Sequence, residues 1–438
     1  MACQLPPNPA PEGLPGTEPA SASARVRQFF AVLGPGLITG AADDDPSGIS
    51  TYSVAGAALG YAPLWTALFS FPLMAAVQLM CARLGLVSGR GLAGAIRHRY
   101  SRRVLWGACG LLIVANVINI GADLGGMAEV TEMVTGVKAV FWTPFYAGVI
   151  VSLLFWSSYR QIARIFKWLT LVLFAYVLAA FLARPDWWAV LRATVFLHIE
   201  WSNDYLATLV AILGTTISPY LFFWQAAQEV EEDRAAGRRT VAQRRGATDA
   251  ELQRAKTDVV AGMFFSNVVM YFIILTTAAT LHVHGQTQIV TARQAAEALR
   301  PVAGDGAYWL FTLGLIGTGM LGVPVLAGSC AYAVAEAEGW RGSLDDPPRL
   351  ARPFYGVLAV AMLGGMILNF MGLNAVSMLF WSAVINGVLA SPLVVLVVLL
   401  TSDHTVMGRR INGPLLRGLG WAAAIVMMAA TVAMCLPL

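Results

Sequence analysis

The sequence predicts an all-α membrane protein of eleven spans, built as two five-helix repeats of opposite orientation with one helix appended. Three observations predict it. First, the 438 residues are 57% hydrophobic and only 12% charged. Soluble domains carry about 25% charged residues, so this chain has too little polar surface to cover a globule in water. Second, eleven apolar stretches approach or exceed the roughly 20 residues that cross a bilayer as a helix. Third, the first and sixth stretches are each interrupted by a proline set among polar residues.

Residues 1–24 are rich in Pro, Ala, Gly and Ser and contain no Lys or Arg, unlike the basic start of a signal peptide. They read as a disordered cytoplasmic tail ahead of one transmembrane domain, 25–438. The expected spans are 29–60, 62–87, 104–135, 140–157, 162–183, 204–233, 258–283, 306–335, 353–371, 375–401 and 416–437. Repeat one would run over 25–185 and repeat two over 201–402, with the extra helix at 415–437. The loops test this count. With the N-terminus inside, 23 of the 29 Lys and Arg fall on the inner side. Only Lys138, Arg184, Arg192, Arg293 and Arg300 fall outside, and Arg83 sits at the inner end of the second span. Positive residues remain on the cytoplasmic side, and one miscounted helix would scramble the alternation. The chain therefore reads as a multi-pass plasma-membrane protein, of a bacterial inner membrane, with its C-terminus outside. The net charge of +4 does not suggest a nucleic-acid partner, and no obligatory protein partner is evident besides the lipid bilayer. The five cysteines lack zinc or redox spacing and read as small buried hydrophobes.

The first span contains Asp43-Asp44-Asp45-Pro46-Ser47-Gly48. Three carboxylates and a proline in the middle of a span are expensive in lipid. A proline removes a backbone donor and frees a carbonyl, so such a segment survives where it lines a cavity or binds something. The sixth span repeats the device in Gly214-Thr215-Thr216-Ile217-Ser218-Pro219-Tyr220. Five spans separate the two breaks, an odd number, so the second half starts with the opposite orientation. Interrupted segments at corresponding places in two halves mark a transport site.

These residues resemble a known family. Gly34-Pro35-Gly36 followed by an Asp-Pro break, with Ala122-Asp123-Leu124 in the third span and the Ser-Pro break in the sixth, is similar to the NRAMP divalent-metal transporters. The resemblance runs from about residue 28 to 437. It implies a LeuT-type inverted-repeat fold and proton-coupled uptake of manganese or ferrous iron. The departures bear on the substrate. The family's first-helix motif is Asp-Pro-Gly-Asn, and here Gly48 replaces the asparagine. Its sixth-helix motif is Met-Pro-His, and here Ser218 and Tyr220 replace the methionine and the histidine. In the third span Asp123 remains, while Gly126 takes the place of a glutamate.

A thioether favours softer metals, so its replacement by Ser218 leaves mostly oxygen donors. The expected substrate residues are Asp45, Ser47, Gly48, Ala42, Thr215, Ser218, Tyr220 and Asn386, with Asp45, Ser218 and Thr215 as metal ligands. That set suits magnesium or manganese better than iron. Asp43 and Asp44 are expected either to carry a coupling proton or sodium ion, or to form a solvated acidic vestibule. Asn116, Asn119 and Asp123 share a helix face at spacings of three and four, which fits an ion or proton path as well as interhelical hydrogen bonding. Gln225, Gln228 and Glu229 would line the inner exit, and the segment from Glu229 to Lys256 reads as a solvated, partly helical loop.

Two functions follow. One is secondary transport of a hard divalent cation by alternating access. The other is sodium- or proton-coupled transport of a small anion such as bicarbonate, held by the N–H groups of half-helix N-termini. There is no nucleophile–base pattern, phosphate loop or soluble catalytic domain, so an enzyme is not expected, nor is a permanently bound cofactor.

Overall fold

The computed structural model describes residues 34–156 and 171–436. The expected tail 1–24, the first residues of the first span, Arg160, Arg164, Lys167 and the first half of the fifth span lie outside these residues. The helices, in chain order, are α1 Pro35–Asp43, α2 Pro46–Leu59, α3 Trp65–Ser88, α4 Leu92–Arg99, α5 Arg102–Thr135, α6 Ala139–Trp156 and α7 Ala175–Leu182. They continue as α8 Trp187–Val195, α9 Asn203–Thr216, α10 Pro219–Ala235, α11 Asp249–Thr280, α12 Ala307–Glu338, α13 Arg352–Leu368, α14 Ala375–Ser402 and α15 Pro414–Met434. Among the described residues, nine helical stretches are long and apolar enough to cross a membrane. The broken first span, α1 and α2, and the partly described fifth, α7, are the two that this length criterion passes over.

Both breaks have one cause. The residue before a proline is pushed out of the α region, and the proline then starts the next helix without needing a donor. Asp45, before Pro46, is extended at φ −66° and ψ 171°. Ser218, before Pro219, is extended at φ −80° and ψ 136°. The second break is narrower than expected, because Gly214, Thr215 and Thr216 stay helical and only Ile217 and Ser218 leave the helix. Ser47 and Gly48 likewise belong to the first turn of α2. Pro72, Pro144, Pro324 and Pro392 lie inside α3, α6, α12 and α14 without ending those helices.

Small residues bring the broken spans against their neighbours. A Cβ on Gly36 would lie 2.6 Å from the backbone nitrogen of Val259, so α1 and α11 touch backbone to backbone. Gly40 meets Gly262 in the same contact, and Gly214 of α9 meets Ala383 and Gly387 of α14. Such close approach is how membrane helices associate without a hydrophobic driving force.

The arginine-rich face differs from its reading as solvated loop. α11 starts at Asp249, well before 258, behind a capping box of Thr248 and Glu251. Arg244 is buried, and its guanidinium donates to the carbonyls of Gly89, Arg238 and Arg239. Arg238 donates to Asp233 at 2.9 Å and to Glu251 at 2.5 Å. Arg99 of α4 donates to Asp403, holding that carboxyl down at about 2.

Candidate functional site

Asp45 occupies the N-cap of α2, and its Oδ1 accepts the Gly48 N–H at 2.8 Å. Its Oδ2 faces away from its own helix. It accepts from Asn119 Nδ2 of α5 at 2.9 Å and from the Tyr220 hydroxyl of α10 at 3.3 Å. That hydroxyl also donates to the Ala42 carbonyl, the end of α1, at 2.9 Å. Tyr220 thus ties the start of one half-helix to the end of another. Ser47 N–H donates to Asp123 Oδ1 at 3.2 Å, while Asp123 Oδ2 is buried without a partner. The Ser47 hydroxyl turns to α14, within 3.1 Å of the Leu379 carbonyl and of Ser382 Oγ. The sequence-derived residues Ala42, Asp45, Ser47, Gly48, Asn119, Asp123 and Tyr220 therefore meet at one point.

Asp43 and Asp44 turn elsewhere. Both accept from Ser266 Oγ of α11, at 2.5 and 3.3 Å, and Asp43 Oδ1 is buried unpaired. Both are almost wholly buried, at 1% and 4% exposed, which excludes the solvated vestibule for this conformation. Thr215 and Ser218 also depart from expectation. The Thr215 hydroxyl donates to Ile212, and Ser218 Oγ lies 2.7 Å from the Gly214 and Thr215 carbonyls. These hydroxyls satisfy their own helix, as Ser and Thr commonly do in apolar surroundings, so their donor protons are committed there. Asn116 divides from its neighbours: its Nδ2 donates to Leu326 at 2.9 Å and Ser329 at 2.7 Å, which is the interhelical reading. Asn386 is buried with its Oδ1 unpaired, on the α14 segment that packs against α9.

Several site residues escaped the sequence reading. Asp258 accepts from the N–H groups of Gly34, Gly36 and Leu37 and so caps α1. Ser266 carries the contact to Asp43, and the polar pair Ser266-Asn267 in an apolar span was its one sequence signal. Gly322 of α12 backs the site: a Cβ there would lie 3.0 Å from the Asp45 Cβ. On the arginine-rich side, Thr39 donates to Gln225 at 2.7 Å, and Gln225 donates to Glu229 at 2.9 Å.

The electrostatics follow from this inventory. Asp43, Asp44, Asp45 and Asp123 are each at most 4% exposed. Among the described residues none of the four is paired with Lys, Arg or His. Buried carboxylates without a cationic side chain need a bound cation or proton to be stable in a membrane. Among the described residues, no three His, Cys, Asp or Glu side chains converge as a metal-binding group, so further ligands for a metal would be carbonyls, amides, hydroxyls or water.

Comparisons with known proteins agree with this architecture. The chain is similar to the divalent metal cation transporter MntH of Aeromonas hydrophila, 26% identical over 402 residues covering 90% of this chain and 93% of that one. The protein of that name from Yersinia enterocolitica is 25% identical, covering 94% and 95%. Among solved structures, the Eremococcus coleocola manganese transporter in complex with an aromatic bis-isothiourea substituted compound matches with a TM-score of 0.73 at 19% identity, covering 97% of this chain and 88% of that one. Mhp1, a nucleobase-cation-symport-1 family transporter, matches at 0.56 and 14% identity, covering 92% of each chain. The fold is the LeuT-type inverted repeat. The family description "natural resistance-associated macrophage protein-like" matches residues 36–437, and the chain belongs to the Nramp family.

Proposed function

We propose that this chain moves a hard divalent cation, magnesium or manganese in preference to iron, across the membrane by alternating access. The observation that carries the reading is the set of four buried carboxylates with no cationic partner among the described residues, gathered where the broken helix opens. Asp45 is the central ligand. Asn119, Tyr220, Asp123 and the Ala42 carbonyl surround it with oxygen and amide donors only. An oxygen-rich site with few direct ligands suits a hard ion that keeps part of its hydration shell. The relatives named as divalent metal cation transporters support the same class. Asp43 and Asp44, bridged by the Ser266 hydroxyl, carry the coupling proton or sodium ion.

The geometry counts against a small anion. The N–H groups that α2 would offer are already taken, Ser47 by Asp123 and Gly48 by Asp45. An entering anion would meet four carboxylates instead. Titration calorimetry of the purified protein with magnesium, manganese, cadmium and bicarbonate tests the reading. Heat from magnesium and manganese, weaker heat from cadmium and none from bicarbonate is expected. Binding of bicarbonate without either metal would overturn it.

A further inference from the structure

α8, Trp187–Val195, crosses nothing and takes no part in the site. It follows α7 closely, which ends at Leu182, and precedes α9, which begins at Asn203. Connections this short hold it at the membrane surface where the fifth span ends and the sixth begins.

Its residues sort into faces at 100° per residue. Val190 is buried, and Thr194 Oγ1 shares a 2.9 Å hydrogen bond with Tyr271 Oη, so this side rests on the protein. Trp187, Trp188, Leu191 and Val195 fall within an adjoining arc of about 100°. They are 45%, 69%, 53% and 49% exposed, and no other part of the described chain covers them. The stripe continues onto the lipid-facing surface of the spans, because the Trp187 ring lies 5.1 Å from that of Phe181, an exposed residue at the end of α7. Ala189 lies on the other side of α8.

We infer that α8 is an interfacial helix, lying along the membrane with Trp187, Trp188, Leu191 and Val195 at the boundary of lipid headgroups and acyl chains. Tryptophan prefers that depth, since its ring is apolar and its N–H still reaches water. An amphipathic helix seated there buries its apolar stripe without spanning. The anchor acts on the broken sixth span. Trp65 Nε1 donates to the His198 carbonyl at 2.9 Å and to Tyr205 Oη at 3.1 Å, and Tyr205 also donates to that carbonyl. The segment after α8 is thereby fastened to the start of both α3 and α9. The half of the broken sixth span that follows α8 is held at fixed depth.

Site-directed spin labels test this. Trp188→Cys, Leu191→Cys and Ala189→Cys are made separately in a chain whose Cys3 and Cys435 are serine. Each is reconstituted in phosphatidylcholine–phosphatidylglycerol vesicles. Collision with oxygen, which enters lipid, is compared with collision with a water-soluble nickel chelate. The oxygen-to-nickel ratio is expected to be about threefold or more higher at 188 and 191 than at 189. Equal ratios at all three positions would mean a water-facing stripe and overturn the inference. Exclusion of both reagents at 188 and 191 would mean that a second copy covers the stripe, and would overturn it too. The two stripe positions report independently, so disruption by one label does not leave the question undecided.

Discussion

Tyr220→Phe removes one hydroxyl and nothing else from the junction of the two breaks. The ring is 1% exposed, and Phe keeps its packing. What disappears is the 2.9 Å bond to the Ala42 carbonyl and the longer 3.3 Å bond to Asp45. Asp45 still holds the donors Asn119 at 2.9 Å and Gly48 at 2.8 Å, so its position and charge survive. The Ala42 carbonyl loses this partner in a dry environment, at a cost of about 1–3 kcal/mol. That cost falls on the conformation in which α1 and α10 are clasped. It shifts the balance between clasped and open forms by roughly 5- to 150-fold. The assay is manganese uptake into proteoliposomes alongside calorimetric binding. Uptake is expected to fall at least about fivefold while affinity stays within about threefold. Unchanged uptake would refute the clasp. An affinity loss as large as the uptake loss would make the Tyr220 oxygen a ligand rather than a tie.

Other outcomes follow from the same contacts. Gly322→Ala puts a methyl 3.0 Å from the Asp45 Cβ and should depress uptake, whereas Gly110→Ala meets nothing within 4 Å and should be neutral in the same assay. Asp258→Ala removes the acceptor for three N–H groups of α1 and should cost about 1–2 kcal/mol, read as a lower thermal midpoint in detergent. Asn116→Ala should cost roughly 0.6–1.7 kcal/mol of stability through its lost bonds to α12, with metal binding unchanged by calorimetry.

The spans and breaks were legible because the bilayer leaves few choices. Backbone groups in lipid must be bonded within a helix, so long apolar runs had to be helices, and a polar segment before a proline had to be the exception. Pro46 and Pro219 carried that signal jointly with Asp45 and Ser218; Pro324, among apolar neighbours, did not break its helix, and neither did Pro392, although Ser391 precedes it as Ser218 precedes Pro219. The gathering at Asp45 was legible in part, through Asn119 and Asp123 one turn apart on α5. Asn116 shared their face by spacing yet bonds α12, because a stripe of that width touches two neighbouring helices. The partners of Asp43 and of Gly34 were not legible. Ser266 and Asp258 sit more than 200 residues away, and only the packing of α1 on α11 through Gly36, Gly40 and Gly262 brings them close. The hydroxyls of Thr215 and Ser218 were read as ligands from their place at the break. Residue type alone did not reveal that their own helix carbonyls hold them.

Asp45 touches α5, α10 and its own half-helix at once. Uptake of magnesium and manganese by proteoliposomes carrying Asp45→Ala is therefore the most direct measurement. Loss of uptake of both metals, in a protein that still elutes as a folded species, is the result this account predicts. Uptake of either metal at the wild-type rate would contradict it.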